Sequence, residues 1–423
     1  MAEPSGSVPD VVRSGFARSD RGFWLDGGGS RNWSGRRSLV GVLDPGDVSL
    51  TYDAARREVT RHRDGRSQVV GEDVFGVLAD ELARDEGDPG VHWVGWFGYA
   101  ARPELPARPW GDGPDAIWMR TRKVRFFDHP AGRPPSRVAQ DALGRGEGHT
   151  TPGWYADAFA GVQQQLRAGN SYEVNLTYRE EVPAPLDERG AVDPLAAYLR
   201  LRRSNPAPYA GMLRHQGTHL LSSSPERYAT ITRDRWIETR PIKGTTARGA
   251  TPEEDEELRR RLATDPKFRA ENLMIVDLLR NDLSMVCEVG TVDVPSLMAV
   301  ESYASVHQLV STVRGRLRDD VSTLGALWAL FPAGSMTGAP KLRTMQVIDA
   351  LEATPRGPYA GAFGWISADG RADLGVVIRS LYAGPDGRWL LGTGGGITVR
   401  SDADEEWAET RWKAERLRSA VSR

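Results

Sequence analysis

Cysteine is almost absent from this sequence of 423 residues, because Cys287 is the only one. A single thiol excludes an intrachain disulfide framework and a zinc site built from several cysteines. Cys287 lies in the apolar run LSMVCEVGTV, which predicts a buried structural thiol.

Long apolar runs and an excess of one charge are also missing. No window approaches the run of about 18 apolar residues that a transmembrane helix needs, and the N-terminal MAEPSGSVPDVVRSG lacks the apolar core of a signal peptide. The formal net charge is −2, which gives no reason to expect nucleic acid or a membrane surface as a partner. We therefore expect a cytoplasmic protein.

The composition divides the chain into four segments. Residues 1–15 are expected to be disordered, and residues 16–130 are predicted to form short strands and turns as an N-terminal subdomain. A stretch rich in Pro, Gly and Arg at 131–152 predicts a linker. Residues 153–423 mix helices and strands without regular βαβ alternation, which predicts an α+β fold with antiparallel sheet.

Two predicted helices carry acidic residues that need an explanation. The helix at 266–282 is so rich in Leu, Ile, Val and Met that we expect it to be buried on most sides, so Glu271 needs a partner or a cation. The last helix places Glu406, Glu409 and Lys413 on one face, which ordinary helix electrostatics also explain. Glutamates from two helices could together hold Mg²⁺.

Two further segments are candidates for chemistry. Lys243 lies in PIKG, where the flanking Pro and Gly alone predict a solvated surface turn. The run GTGGGITV could bring backbone N–H groups against a carboxylate or phosphate, because glycines permit close approach. It lacks the remaining residues of a P-loop or a dinucleotide-binding motif, so a nucleotide is a weak interpretation.

Ten segments follow one another in order over about residues 150–417. They are SYEVNLT, SSSPERYATI, ETRPIKGT, RAENLMIVDLLRNDL, VHQLVSTV, FPAGSMTGAPKLRTMQVIDALE, GAFGWI, VVIRSL, GTGGGI and EEWAETRWKAERL. Together they resemble the chorismate-utilising enzymes, and within them the branch of aminodeoxychorismate synthase component I. The N-terminal part is similar more loosely, through GFWLDG and GWFGYAARPEL.

The resemblance implies an α/β sandwich of two stacked, mainly antiparallel sheets flanked by helices, as in anthranilate synthase component I, with chorismate and Mg²⁺ bound. It implies Glu271 and Glu409 as metal ligands and Glu406 as the residue that holds a water bound to the metal. Family members often have another acid where this chain has Phe268, so the outer shell of the metal is expected to differ.

The resemblance also implies which residues contact the substrate. The side chains of Arg379 and Lys413 would pair with the ring carboxylate, since an arginine fork suits a planar carboxylate. His307 would lie beside the reacting ring. The residues expected to supply backbone contacts or to line the pocket are Gly394, Gly395, Gly396, Thr337 and Gly338.

Lys243 decides between branches of the family. Anthranilate-forming relatives usually have Ala at this position, whereas in aminodeoxychorismate synthases the Lys is typical and is thought to act as a nucleophile. Isochorismate-forming relatives carry a Lys where this chain has Glu173. The resemblance therefore implies amination of chorismate at C4, with attack by Lys243 at C2 and with Glu226 protonating the departing C4 hydroxyl. Lys243 would then need a lowered pKa and Glu226 a raised one.

The ammonia for this reaction is expected from a glutamine amidotransferase subunit or from free ammonium, because Cys287 is wrongly placed for a glutaminase nucleophile. A relative that aminates C2, forming anthranilate or aminodeoxyisochorismate, is the nearest alternative, and Lys243 argues against it. A scaffold that binds chorismate without catalysis is a more remote one, and the presence of Glu271, Glu409 and Lys413 argues against it. The product could serve p-aminobenzoate and folate synthesis or secondary metabolism.

Overall fold

The computed structural model describes residues 7–27, 37–129, 150–303 and 306–422. Within these ranges the chain forms two antiparallel β-sheets and nine helices, which confirms the predicted α+β class. The helices are α1 (Val8–Phe16), α2 (Val74–Ala83), α3 (Gly153–Arg167), α4 (Pro194–Ser204), α5 (Pro252–Thr264), α6 (Pro266–Ser284), α7 (Thr323–Leu330), α8 (Lys341–Leu351) and α9 (Ala403–Val421).

The strands are distributed along the whole described chain and are separated by turns, loops and helices. They are β1 (Arg21–Asp26), β2 (Arg37–Val42), β3 (Ser49–Asp53), β4 (Glu58–Arg63), β5 (Arg66–Gly71), β6 (His92–Phe97), β7 (Ala116–Thr121), β8 (Arg125–Asp128), β9 (Glu173–Val182), β10 (Tyr209–His215), β11 (Thr218–Ser224), β12 (Arg227–Ile231), β13 (Trp236–Arg240), β14 (Ile242–Ala247), β15 (Asp293–Ser302), β16 (Val306–Arg316), β17 (Gly338–Ala339), β18 (Ala362–Ser367), β19 (Ala372–Val376), β20 (Ser380–Ala383) and β21 (Trp389–Ile397).

The strand order interleaves the two ends of the chain. One sheet runs β17-β9-β21-β20-β11-β10-β1-β2-β8, and the other runs β14-β16-β13-β12-β19-β18-β6-β7-β3-β4-β5, with β15 paired to β16. In the first sheet β1 pairs with β10, and in the second β6 pairs with β18. The predicted boundary at 131–152 therefore does not separate two sheets. Of that predicted linker, residues 131–149 lie outside the described residues.

The N-terminus differs from its prediction. Residues 1–15 were expected to be disordered, but Val8–Phe16 forms helix α1. Val12 and Phe16 are buried one turn apart and pack in a cluster with Trp24 of β1 and Val40 of β2. Apolar residues at i and i+4 give the helix one buried face, which is enough to order so short a segment against the sheet. Residues 1–6 lie outside the described residues.

One hydrophobic cluster joins the two sheets. It contains Phe23 of β1 and Leu213 of β10 from the first sheet, together with Trp96 of β6 and Phe363 of β18 from the second. Inward-facing side chains of two sheets stacked face to face form such a core. Cys287 belongs to the same cluster, and burial raises the pKa of its thiol to about 11. The predicted buried structural thiol is confirmed.

Local sequence signals account for two of the helices. Helix α3 at Gly153–Arg167 buries apolar residues at helical spacing, among them Phe159, Val162 and Leu166. Thr251 caps α5, since its hydroxyl accepts a hydrogen bond from the backbone N–H of Glu254 at 3.2 Å. The prediction that α6 is buried on most sides is wrong, because Leu273 is 54% exposed. The helix is amphipathic and carries more apolar residues than its inward face holds.

None of the helices formed by the described residues is long and apolar enough to cross a membrane.

Candidate active site

A cavity of about 140 Å³ lies where helices α6 and α9 meet strands β14 and β21. A larger cleft of about 680 Å³ between α1 and the β4–β5 hairpin contains none of the predicted site residues, so the smaller cavity is the candidate site. The predicted site residues that line it are Glu226, Lys243, Glu271, Arg379, Gly394, Gly395, Gly396, Glu406, Glu409 and Lys413.

Lys243 is buried in the centre of this cavity rather than solvated in a turn. Strand β14 carries it, and 8% of the residue is exposed. Its Nζ forms an ion pair with Glu173, which is buried on β9. The absence of a side chain at Gly396 of β21 makes room for this pair, because a Cβ there would collide with the Glu173 carboxylate. The Glu173 Oε2 atom has no hydrogen-bond partner among the described residues.

The charge around Lys243 opposes the expected pKa shift. Burial by itself lowers the pKa of the ammonium, but Glu173, Glu271 and Glu226 together outweigh burial and raise the pKa above its ordinary value. The expectation of a lowered pKa is therefore wrong for the free protein. Three carboxylates surround the ammonium and keep it protonated.

Glu226 has the opposite environment. It precedes β12 and is 5% exposed, and the Ser335 hydroxyl donates to its Oε1 at 2.6 Å. Burial raises the pKa of Glu226 to about 7, although the Ser335 hydrogen bond and the charge of Lys243 oppose the shift. A carboxyl group with this pKa holds a proton near neutral pH, as a general acid requires.

The acidic end of the cavity is formed by Glu271, Glu406 and Glu409 together with Lys267 and Lys413. Lys267 Nζ lies 3.1 Å from Glu406 Oε1, and Lys413 Nζ lies 2.7 Å from Glu409 Oε1. Lys413 also donates to the Gly394 carbonyl oxygen at 2.9 Å. The third carboxylate, that of Glu271, has no such partner.

The surroundings of the Glu271 carboxylate bear on whether a cation can bind at this end of the cavity. Its Oε1 atom is buried without a hydrogen-bond partner among the described residues, and burial raises the pKa of its carboxyl group to about 7. No group of three or more His, Cys, Asp or Glu side chains in the described part of the chain is arranged to hold a metal. Mg²⁺ requires only one or two protein carboxylates, so Glu271 and Glu409 fit a divalent cation.

Arg379 adds a positive charge to the lining of the cavity. Its backbone φ of 51° lies in the left-handed region, which is strained for a residue other than glycine. The guanidinium lies 5.5 Å from the centre of the Trp412 ring and makes no ion pair with any residue that the structure describes. Burial, helped by the charge of Arg416, lowers the pKa of Arg379 to about 10. A bound anion would relieve this unfavourable burial.

His307 does not line the cavity. Its Nε2 lies 3.1 Å from Asp255 and its Nδ1 lies 2.8 Å from the Ser302 hydroxyl. Successive side chains of a strand point to opposite faces, and the neighbour Gln308 is the residue of β16 that reaches the cavity. The expected position of His307 beside the reacting ring stays a prediction.

Thr337 and Gly338 lie behind the cavity wall rather than on it. The Thr337 carbonyl oxygen accepts from the Asn175 backbone N–H at 2.9 Å, and Gly338 pairs with Val174 of β9. These contacts join the segment to the edge of the sheet, and the preceding Ser335 and Met336 line the cavity instead.

Asn175, Ser335 and Lys267 are among the cavity residues that the sequence analysis missed. Asn175 follows Glu173 by two positions, so strand alternation in SYEVNLT was a signal that could have found it. Ser335 lies in the predicted glycine-rich turn FPAGSMTGAPK. Lys267 lies one turn before Glu271 on the same face of α6, and a helical projection of the two would have found it.

The cavity is small and highly charged, because Arg379 and the three glutamates of the acidic end line the same space. A family model described as chorismate binding enzyme matches residues 43–419, and the chain therefore belongs to the family of chorismate-binding enzymes.

Two relatives illustrate the similarity. The aminodeoxychorismate synthase of Streptomyces pristinaespiralis is 39% identical over 96% of this chain and 62% of its own length. The anthranilate synthase component 1 of Haloferax volcanii is 35% identical over 99% of this chain and 74% of its own length. The chain spans about three fifths of the length of two Streptomyces relatives that are both named aminodeoxychorismate synthase.

A solved structure shares the fold. The anthranilate synthase component I of Streptococcus pneumoniae TIGR4 is similar with a TM-score of 0.75 and 26% identity, covering 92% of this chain and 93% of that one. This likeness confirms the predicted arrangement of two antiparallel sheets flanked by helices.

Proposed function

We propose that the chain aminates chorismate at C4 to form 4-amino-4-deoxychorismate. The observation that carries the proposal is the buried Lys243 at the centre of the cavity, lined also by Glu226 with a pKa of about 7. A nucleophile and a proton donor in one site are the two groups that this substitution requires. The Streptomyces relative named aminodeoxychorismate synthase supports the same reaction.

Lys243 and Glu226 divide the first half of the reaction between them. The Lys243 ammonium passes a proton to the Glu173 carboxylate with which it is paired, and the resulting amine attacks C2 of the ring. The C4 hydroxyl leaves as water with the proton of Glu226. Ammonia then adds at C4, the bond between C2 and Nζ breaks, and Glu173 returns the proton to the released amine. The new ammonium group returns a proton to Glu226, so chorismate and ammonia are converted into the amine and water.

Arg379 and Lys413 are suited to orient the substrate. The Arg379 guanidinium has no ion-pair partner among the described residues, and Lys413 is fixed by Glu409 and the Gly394 carbonyl oxygen. Charge-assisted contacts with a carboxylate are the strong hydrogen bonds of a buried site. The glycine run of β21 lets the substrate approach the backbone, as expected from GTGGGI.

Glu271 and Glu409 would hold a Mg²⁺ ion in this site, with Glu406 nearby. When bound, Mg²⁺ would supply positive charge that anchors and polarises the ring carboxylate. Glu271 supports this part of the proposal through its buried oxygen atom without a partner.

The ammonia is proposed to come from a glutamine amidotransferase subunit or from free ammonium. A glutaminase of the usual kind uses a reactive thiolate. The one cysteine of this sequence, Cys287, is buried with a pKa raised to about 11, which is unsuited to that role.

The test is a product analysis. The purified chain is incubated with chorismate, Mg²⁺ and an ammonium salt, and the product is identified by chromatography and mass spectrometry. We expect the amine at C4 from the wild type and its loss in Lys243→Ala, while Lys123→Ala, which removes an exposed lysine outside the cavity, keeps the activity. Formation of the C4 amine by Lys243→Ala at the wild-type rate would contradict the nucleophile.

A second candidate is amination at C2. The Haloferax volcanii relative named anthranilate synthase component 1 favours it, because the similarity covers 99% of this chain. The same incubation separates the two functions, since fluorescent anthranilate or an amine at C2 would replace the C4 product.

A further inference from the structure

Lys267 occupies the acidic end of the cavity, and neither the family resemblance nor the proposed reaction gives it a role. It is the second residue of α6, and its Nζ lies 3.1 Å from Glu406 Oε1. A cation in the first turn of a helix is disfavoured by the helix dipole. Glu406 therefore holds it there, in the same part of the cavity as Glu271 and Glu409, which would hold a divalent cation.

The two lysines of this region are held differently. Lys413 bonds to both Glu409 and the Gly394 carbonyl oxygen, so it is fixed to α9 and β21 together. The ammonium of Lys267 bonds to Glu406 alone among the described residues, and 32% of its side chain is exposed. Lys267 can therefore leave for solvent by breaking one ion pair.

A divalent cation and Lys267 cannot share this space without a cost. Glu271 lies one turn after Lys267 on α6, and Glu406 lies one turn before Glu409 on α9, so a cation between Glu271 and Glu409 would face the Lys267 ammonium. Like charges within a few ångströms repel strongly when they are shielded from water.

We propose that Lys267 is a built-in competitor of the divalent cation. Its ammonium neutralises Glu406 in the metal-free protein and withdraws when the cation binds. The inference rests on the metal site of the proposed function. The consequence is that the protein binds its cation more weakly than its carboxylates alone would, and that removal of the lysine charge tightens binding.

The test measures binding of Mn²⁺, as a probe for Mg²⁺, by electron paramagnetic resonance of the free ion in the absence of substrate. We expect Lys267→Met to lower the dissociation constant by about tenfold. Lys267→Gln is a second variant in case Lys267→Met fails to fold, because its amide can still donate to Glu406. It is expected to lower the dissociation constant in the same way. Arg269→Met removes the same charge two residues along α6, where the side chain is exposed and bonds to the Ala263 carbonyl oxygen, and is expected to change binding less than twofold.

Each other outcome overturns the inference. Lys267 variants that bind Mn²⁺ no more tightly than the wild type would show that the lysine does not compete, even if the wild type aminates chorismate at C4. Absence of Mn²⁺ binding in every variant would remove the metal from the proposed function as well. The product analysis with and without a chelator then shows whether amination itself survives.

Discussion

At the scale of single residues, the cavity keeps Lys243, the proposed nucleophile, protonated in the free protein. The Lys243 ammonium is surrounded by Glu173, Glu226 and Glu271, and the resulting rise in its pKa outweighs the effect of burial. Substrate carboxylates would add to this negative charge, whereas a metal cation would reduce it. The proton of Lys243 must therefore pass to a group in the site before attack.

The ion pair with Glu173 gives the first prediction. Glu173→Gln removes the carboxylate that most strongly raises the pKa of Lys243. The lowering effect of burial is then opposed less, and the pKa of Lys243 falls. The pH dependence of Lys243 modification by an amine-reactive reagent, read by peptide mass spectrometry, should move to lower pH. Glu181→Gln, the same change at an exposed position of β9, should leave the midpoint in place. An unchanged midpoint in Glu173→Gln would contradict the role of this carboxylate.

Glu226 gives the second prediction. An acid that must donate a proton loses function as the pH rises through its pKa, so activity should decline above about pH 7. The Ser335 hydrogen bond lowers this pKa, and Ser335→Ala should shift the decline in kcat/KM to higher pH. If the pH profile of kcat/KM is unchanged in Ser335→Ala, the decline at high pH does not arise from Glu226.

The sequence predicts the individual site residues better than their partners. The motifs that contain Lys243, Glu226 and Glu271 indicate the chemistry proposed for these residues. The pairing of Lys267 with Glu406 joins residues 139 positions apart, and no local pattern encodes it. The contact of His307 with Asp255 likewise joins two different elements, and no local pattern encodes it.

At the scale of elements, the glycine run of β21 sets the space available to the site. Gly396 lies opposite Asn175 of β9, and a Cβ there would meet the carboxylate of Glu173. The neighbouring Gly395 has more room, because its Cβ would meet only the ends of the Glu406 and Lys413 side chains, at 3.1 and 3.7 Å.

This difference gives the third prediction. Gly396→Ala should lower kcat/KM by at least about tenfold, because the added methyl group displaces the ion pair of Glu173 and Lys243. Gly395→Ala should have a smaller effect, since flexible side-chain ends can move away. Steady-state kinetics of the two variants test this order, and equal losses would show that the methyl group acts through the strand backbone instead.

The existence of elements is predicted from the sequence more reliably than their burial. The bounds of α3 and the cap of α5 follow from local signals, namely apolar periodicity and a Thr followed by Pro. The exposed face of α6 does not, because Leu273 has the same apolar character as the residues that the helix buries. Only the packing against β14 and β16 decides which of them faces inward.

At the scale of the whole molecule, both sheets contain strands from before and after the predicted linker. Strand β1 pairs with β10, and β6 pairs with β18. A composition-based boundary cannot reveal this, because strand order depends on contacts between distant segments. Neither part can complete its sheets alone.

This interleaving gives the fourth prediction. Unfolding by urea should follow one cooperative transition, with tryptophan fluorescence and far-UV circular dichroism coinciding. The fluorescence includes a signal from the N-terminal segment, because Trp24, Trp93, Trp96 and Trp118 are fully buried there. Fluorescence that changes at a lower urea concentration than the dichroism would show that the N-terminal segment unfolds independently.

The pairing of β6 with β18 also has a consequence for synthesis on the ribosome. Strand β6 ends at Phe97, and its partner begins at Ala362. At the usual elongation rate the nascent chain waits some tens of seconds before the second strand emerges. During that interval the tryptophan-rich strand Trp93–Phe97 has one open edge and an uncovered apolar face. The nascent protein is therefore most exposed to aggregation, and most dependent on chaperones, in the interval before strand β18 emerges.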